Sequence, residues 1–139
     1  MIQISKISGV AILLCITMIG YGQSKKDIQE KGIVSKTVQE YFIEEGADEP
    51  VVESIEKYNK EGETIELQEF NRLGDIKRWE KYGYDAVGQL VEEVFLDSKG
   101  RITQTEKSVY EDGLRVEKRY YNSRGKLYKK KVYEYEYRQ

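Results

Sequence analysis

The sequence contains no histidine, and its single cysteine, Cys15, lies in a short apolar segment near the N-terminus. Histidine titrates near neutral pH, and cysteine is a strong nucleophile and metal ligand. Without them, the rest of the chain cannot form disulfide bonds, Cys–His or Ser–His catalytic pairs, or metal sites built on these residues. Carboxylate-based catalysis remains chemically open, but no catalytic constellation stands out. We therefore predict a protein that is not an enzyme and has no metal and no cofactor.

Proline occurs once, at Pro50, and apolar residues make up only 39% of the chain, against 35% charged residues. The single proline argues against a proline-rich disordered tail. The low apolar share predicts a thin hydrophobic core. The 12 tyrosines partly replace aliphatic side chains, because each brings an apolar ring with a polar tip.

Residues 1–22 have the pattern of a secretory signal peptide. Lys6 supplies a positive charge, "ISGVAILLCITMI" is an apolar run, and Gly20 and Gly22 are small residues before a cleavage site at Gln23. We therefore predict an exported protein that is periplasmic, at the cell surface or secreted. No transmembrane segment would remain after signal cleavage. The alternative is an uncleaved N-terminal anchor.

A seven-residue pattern recurs along the predicted mature chain, residues 23–139. "YDAVGQL" at 84–90 is the clearest copy: an aromatic residue, Asp, two variable residues, Gly, one variable residue and Leu. The glycines at 62, 74, 88, 100, 113 and 125, one in each of six copies, are 12 to 14 residues apart. The further copies are "YNKEGET" from Tyr58, "FNRLGDI" from Phe70, "LDSKGRI" from Leu96, "YNSRGKL" from Tyr121, a shortened "YEDGL" from Tyr110 and a degenerate "IQEKGIV" from Ile28.

Each copy predicts a hairpin turn. The Asn or Asp side chain bonds to backbone just ahead of it, and the glycine supplies the positive φ that closes the loop. In the shortened copy, Asp-Gly is a two-residue hairpin signal. The predicted turn residues are Asn59 and Gly62, Asn71 and Gly74, Asp85 and Gly88, Asp97 and Gly100, Asp112 and Gly113, and Asn122 and Gly125.

The turn spacing leaves room for strands of ordinary length and not for helices. We predict an all-β fold: an antiparallel β-meander of about eight strands, forming an open, twisted and partly single-layered sheet. A small closed up-and-down barrel is the alternative, because closure removes exposed edges. Strand alternation places Leu90, Val94 and Leu96 on one face, and Gly83 is the expected site of a bulge. Residues 33–45 fit a helix or a strand, and their β-branched residues favour a strand.

The repeated [YF]-[ND]-x-x-G-x-[IL] motif resembles the YD repeat of Rhs-type proteins. It is also similar to MORN-like repeats of small exported or antitoxin-like bacterial proteins. The resemblance covers about residues 58–127, and residues 28–139 if degenerate copies are included. It implies a sheet architecture and a bacterial, exported setting. It implies no catalytic residue, because the repeat residues build turns and sheet faces.

Charge is unevenly distributed along the chain. Residues 23–70 hold 6 basic and 13 acidic side chains, whereas 115–131 hold eight basic residues and one acidic residue, Glu117. This basic strip would suit a polyanion such as a phosphorylated glycan or a lipid head group, and export makes nucleic acid an unexpected partner. The other interpretation is that Lys and Arg discourage pairing at the terminal strands. The candidate residues are Arg115, Arg119, Tyr121, Lys126, Tyr128 and Lys130.

Trp79 is a second candidate for binding. Alternation places it on the more polar face, with Phe95 and Tyr121 as expected neighbours, where exposed rings could stack on sugars. The other interpretation is cross-strand aromatic packing that stabilises a thin sheet.

The sequence therefore predicts a non-enzymatic, exported β-repeat protein that acts as an envelope-associated interaction or scaffold module. Its expected partner is a protein or an envelope glycan. One alternative is a dedicated glycan-binding module. Another is an immunity or antitoxin-like protein that neutralises a secreted toxin, which follows only from the resemblance. Edge-to-edge self-association of the acidic and basic halves is a further hypothesis.

Overall fold

The computed structural model describes residues 24–46 and 49–139, so the predicted signal peptide lies outside the described part of the chain. That part contains one short helix, a 3-10 turn and eight strands that pair antiparallel in chain order as one sheet. In the described part of the chain the first strand does not pair with the last, which confirms the open meander and excludes the closed barrel. The elements are α1 (Lys25–Lys31), β1 (Ser35–Glu40), the 3-10 turn (Ile43–Glu45), β2 (Val51–Tyr58), β3 (Thr64–Phe70), β4 (Ile76–Tyr84), β5 (Leu90–Leu96), β6 (Ile102–Glu111), β7 (Leu114–Asn122) and β8 (Leu127–Val132).

The N-terminal segment departs from the repeat pattern. Helix α1 begins after Ser24, whose side chain accepts from the backbone N–H of Asp27 in a reciprocal capping box, and it ends at Gly32 with φ 63°. The prediction that "IQEKGIV", from Ile28, is a degenerate turn is therefore wrong, because its glycine terminates a helix. Residues 33–45, whose sequence fitted either a helix or a strand, contain strand β1 and then the 3-10 turn.

Five of the hairpin turns share one geometry. In the turn after β4, Asp85 Oδ1 accepts from the N–H groups of Val87 and Gln89 at 3.0 and 2.9 Å. Gly88 then adopts φ 83°, a left-handed conformation that a side chain disfavours. The same arrangement of an Asn or Asp oxygen with two N–H groups, two and four residues ahead, begins at Asn59, Asn71, Asp97 and Asn122.

A one-residue shift in register accompanies each turn. In the β4–β5 pair, Tyr84 lies opposite Leu90 and Gly83 opposite Glu92, which leaves Val91 as the extra residue of a β-bulge. Leu90 therefore shares a face with Tyr84, while Val94, opposite Lys81, lies on the other face. The prediction that Leu90, Val94 and Leu96 share one face is wrong for this reason, and the bulge lies across from Gly83 rather than on it. Equivalent shifts fall at Tyr58, Phe70, Leu96, Tyr110 and Tyr121.

Three tyrosines at one end of the sheet reach back across a hairpin. The hydroxyl groups of Tyr84, Tyr110 and Tyr135 each donate to the backbone oxygen of the residue 20 positions earlier. The acceptors are Thr64 at 2.8 Å, Leu90 at 3.0 Å and Arg115 at 2.6 Å. We call these three hydrogen bonds the tyrosine latches. Each joins the end of a hairpin to the beginning of its first strand, in the β3–β4, β5–β6 and β7–β8 hairpins.

The sheet has almost no hydrophobic core. Among the described residues, the buried apolar side chains are Ile28, Tyr58 and Tyr120, and no large side chain is completely buried. Residue Ile28 belongs to α1, which packs against the turn after β2. A single-layered sheet of this kind depends on cross-strand side-chain pairs and satisfied turns more than on a packed interior.

Candidate binding surfaces

The strand pairing gives the sheet two faces, which we name after their aromatic residues. The tyrosine face carries Tyr58, Tyr82, Tyr84, Tyr110 and Tyr120, and the tryptophan face carries Trp79 and Tyr121. The tyrosine face is the more enclosed, because the buried strand residues all lie on it. Those residues are Tyr58, Glu80, Glu106, Ser108 and Tyr120.

Glu80 is a carboxylate of the tyrosine face that is held by three hydrogen bonds. It accepts from Arg78 Nε at 2.5 Å and Nη2 at 2.9 Å, and from the Tyr82 hydroxyl at 2.5 Å. Burial alone would raise the pKa of Glu80, but these hydrogen bonds outweigh it and the pKa is lowered. Burial and the adjacent carboxylate raise the pKa of Tyr82. Both groups therefore keep their ordinary charge states at neutral pH.

Glu56 repeats this arrangement one hairpin away. Its carboxylate is 2.6 Å from Lys36 Nζ and accepts from the Tyr58 hydroxyl at 2.8 Å. Burial again opposes ionisation, and the hydrogen bonds from Lys36 and Tyr58 leave the pKa of Glu56 lowered. General acid catalysis by a carboxyl group requires a raised pKa. Neither Glu56 nor Glu80 meets that requirement.

A groove lies on the tyrosine face across strands β2 to β5. Its volume is about 590 Å³, within the range of small-molecule sites in proteins. The groove combines rings with carboxylates that could accept hydrogen bonds. Its lining includes Glu56, Leu67, Glu69, Phe70, Tyr82 and Tyr84.

The predicted cluster of Trp79, Phe95 and Tyr121 is not formed. Phe95 lies opposite Glu80, on the tyrosine face, whereas Trp79 lies on the other face. Tyr121 shares a face with Trp79 but belongs to β7, three strands away, which is roughly 14 Å. The bulges reverse the alternation from which the cluster was predicted.

Trp79 itself is packed within the tryptophan face. Its Nε1 donates to Glu66 at 2.7 Å. A Cβ placed on Gly100 would lie 3.3 Å from Trp79 Cη2 and Cζ3, so the β5–β6 turn covers this edge of the ring. The indole therefore serves cross-strand packing, and Gly100 leaves room for it.

The residues of the predicted basic strip divide between the faces. Arg119 and Lys130 lie opposite each other on the tryptophan face, and both pair with Glu117. Arg115 donates to the Tyr110 hydroxyl at 3.0 Å, and Tyr128 donates to Gln104 at 2.9 Å, so both belong to the tyrosine face. Lys126 lies exposed in the last turn.

The prediction missed two lysines of the tyrosine face, Lys129 and Lys131. The Nζ of Lys129 is 3.8 Å from the centre of the Tyr120 ring, and that of Lys131 is 5.7 Å away. The Nζ of Lys118 is 5.6 Å from the same ring. Locating the bulge at Tyr128 would have placed these lysines on this face, because the extra residue sets their parity.

No family model, curated protein or solved structure matches this chain. Within residues 24–46 and 49–139, no helix has both the length and the apolar character needed to cross a membrane. The same residues bring together no group of three or more acidic side chains that could hold a metal ion.

Proposed function

We propose that this chain is a non-enzymatic, exported interaction module that binds a partner through the surfaces and edges of its sheet. One observation carries the proposal: the sheet exposes both faces and both terminal strands, while its enclosed carboxylates already have fixed partners. Such carboxylates are weak bases and hold no proton to donate at neutral pH. The exposed faces and edges provide a large contact area for the length of the chain.

The sequence supports the location of this module. The signal-peptide pattern of residues 1–22 predicts export, and a chain without cysteine in its predicted mature part needs no oxidative folding after export. The resemblance to YD-type repeats supports the same setting. We therefore propose that the partner is a protein of the cell envelope.

Affinity capture from envelope extracts of the cells that make the protein tests this proposal. The bait is the mature chain, residues 23–139, and captured proteins are quantified by mass spectrometry. Three matched baits each alter one surface: Lys129→Gln with Lys131→Gln, Lys107→Gln on the tryptophan face, and Glu69→Gln with Lys77→Gln in the groove. We expect a partner that one altered bait loses and the other two retain.

Two results together would contradict the interaction-module proposal. The first is that no protein is enriched above the bead background by the folded bait. The second is a hydrolytic activity that purifies with the chain and is abolished by Glu80→Gln. Circular dichroism of each bait provides the control that all of them are folded.

Glycan binding is a second candidate, and the groove of the tyrosine face favours it. Tyr82 and Tyr84 supply rings and Leu67 an apolar side chain near Glu56 and Glu69, a combination that suits the apolar faces and hydroxyl groups of a sugar. A glycan array with the wild-type chain, Leu67→Ser and Trp79→Phe tests it. We expect Leu67→Ser to lose binding and Trp79→Phe to retain it. No binding above background by the folded wild-type chain would rule the groove out.

A further inference from the structure

Strand β8 is an open edge of the sheet. Within the described part of the chain it pairs only with β7, and all six of its residues are exposed. The outer side of such a strand presents a row of backbone N–H and C=O groups that a further strand can pair with. We call Leu127–Val132 the basic edge, because three of its six residues are lysines.

The lysines of the basic edge project to both faces. Lys129 and Lys131 lie on the tyrosine face and Lys130 on the tryptophan face, as their partners on β7 show. Among the described residues, no carboxylate forms an ion pair with Lys129 or Lys131. Lys130 shares the carboxylate of Glu117 with Arg119. The edge therefore carries excess positive charge.

Apolar side chains accompany these charges. Leu127, Tyr128 and Val132 are 46%, 52% and 62% exposed. An added strand would therefore find apolar contacts at both ends of the edge and cations between them. Cross-strand pairs of opposite charge stabilise a sheet, whereas like charges opposite each other destabilise it.

The opposite edge of the sheet has a different character. Strand β1 carries Lys36, which is already paired with Glu56 at 2.6 Å, and only one acidic residue, Glu40. Suppose that β1 of a second copy paired with the basic edge, with the tyrosine faces of both copies on the same side. Lys36 would then lie beside Lys129 and Lys131 on that face. Charge therefore disfavours β1 of a second copy at the basic edge and favours an acidic strand.

We propose that the basic edge docks an extended acidic segment of a partner protein, which adds to the sheet as a ninth strand. This inference rests on the proposed function and names its binding surface. Backbone hydrogen bonds supply the register, and Asp or Glu side chains of the partner lie beside Lys129 and Lys131. The same lysines repel a basic strand and gain no ion pairs from a neutral one, so the charge selects the partner.

Peptide binding to the mature chain tests the inference. The probe is a peptide as long as β8, six residues, alternating glutamate and valine. Its affinity is measured by calorimetry, and amide hydrogen exchange shows where it binds. We expect binding that slows exchange in β8, and a loss of about tenfold in affinity in the variant Lys129→Gln with Lys131→Gln. The charge-matched control, Lys60→Gln with Lys99→Gln, changes exposed turn lysines and should stay within about twofold.

A second peptide isolates the backbone contribution. It has the same sequence with N-methyl groups on alternate amides, which removes donors but keeps the charge. We expect it not to bind, and a lysine–valine peptide not to bind either. Equal affinity of the methylated peptide would overturn strand addition, and an unchanged affinity of the lysine variant would overturn the basic edge as the site.

Parallel measurements test two other possible occupants of the basic edge. Binding to phosphatidylglycerol vesicles but not to the acidic peptide would replace the partner strand with a lipid surface. Concentration-dependent light scattering that the lysine variant abolishes would replace it with a second copy. If envelope capture yields a partner that the Lys129→Gln, Lys131→Gln bait retains, the proposed function stands and this inference fails.

Discussion

Lys118 of β7 lies between two carboxylates of the tyrosine face, with its Nζ 2.5 Å from Glu106 and 2.8 Å from Glu93. One ammonium group thus joins three successive strands, β5, β6 and β7. Only 13% of the Lys118 side chain is exposed. Burial lowers the pKa of Lys118, but the two carboxylates outweigh burial and the pKa is raised. Because so few apolar residues are buried in this sheet, this ionic contact holds strands together where a hydrophobic core would do so in other proteins.

We expect Lys118→Met to lower the free energy of unfolding by about 2 kcal/mol, because it leaves two enclosed carboxylates without their cation. The matched control is Lys107→Met, whose pair with Glu92 at 3.2 Å is half exposed. That variant should change stability by less than about 1 kcal/mol. Urea unfolding followed by circular dichroism measures both. Equal effects would show that enclosure does not strengthen the Lys118 contacts.

Acid should destabilise the sheet through Glu56 and Glu80. The pKa of each is lowered below the ordinary value of 4.5. Their contribution to stability is therefore complete above about pH 4.5 and is lost as the pH falls through their folded-state pKa values. Urea midpoints measured between neutral and acidic pH should decline in that range. In Glu80→Gln, stability at neutral pH should be lower and the decline in acid shallower, and a decline as steep as that of the wild-type chain would contradict this assignment.

Two glycines with similar φ should differ in their tolerance of alanine. Gly62 and Gly74 have φ 79° and 85°. A side chain at either position costs about 1 kcal/mol in the left-handed conformation. A Cβ at Gly62 would also overlap the backbone oxygen of Lys25, whereas nothing lies within 4 Å of one at Gly74. We therefore expect Gly62→Ala to be the more destabilising in thermal unfolding and to increase amide exchange in α1. Equal thermal stability of the two variants would mean that α1 does not pack closely against this turn.

The tyrosine latches should each stabilise the sheet. Tyr84→Phe and Tyr110→Phe keep the rings and remove one hydrogen bond, so each should cost about 1 kcal/mol in the free energy of unfolding. Tyr137→Phe is the control, because Tyr137 is 77% exposed. Urea unfolding of the three variants distinguishes a latch from a ring that merely packs. If all three behaved like the wild-type chain, the hydroxyl groups would have no structural role.

The strands and turns were predictable because their signals are local. An Asx residue followed by glycine determines the turn by its own hydrogen bonds and φ, as at Asp85 and Gly88. The assignment of residues to faces was not predictable by simple alternation. A bulge residue such as Val91 inverts the parity of the strand residues beyond it, and nothing in a single strand's sequence marks it.

The candidate binding residues were predicted less well for the same reason. Phe95 was assigned to the face of Trp79, and Lys129 and Lys131 were missed, because both assignments depend on parity across a bulge. The packing of Trp79 on Gly100 joins a strand to a turn more than 20 positions away, which no local pattern encodes. Helix α1 was missed because its capping residues, Ser24 and Asp27, lie just after the predicted cleavage site.

The 20-residue reach of the tyrosine latches also bears on how a protein of this kind can change length. Each latch spans one pair of strands, β3–β4, β5–β6 or β7–β8, and ends on the first strand of that same pair, so each added pair would bring its own hydrogen bond. Strands contact mainly their neighbours in the chain, so no distant residue would have to adjust to an inserted pair. Duplication or loss of two strands would leave the terminal edges intact. Mutation can therefore change the number of strands two at a time, while the terminal edges keep their binding partners.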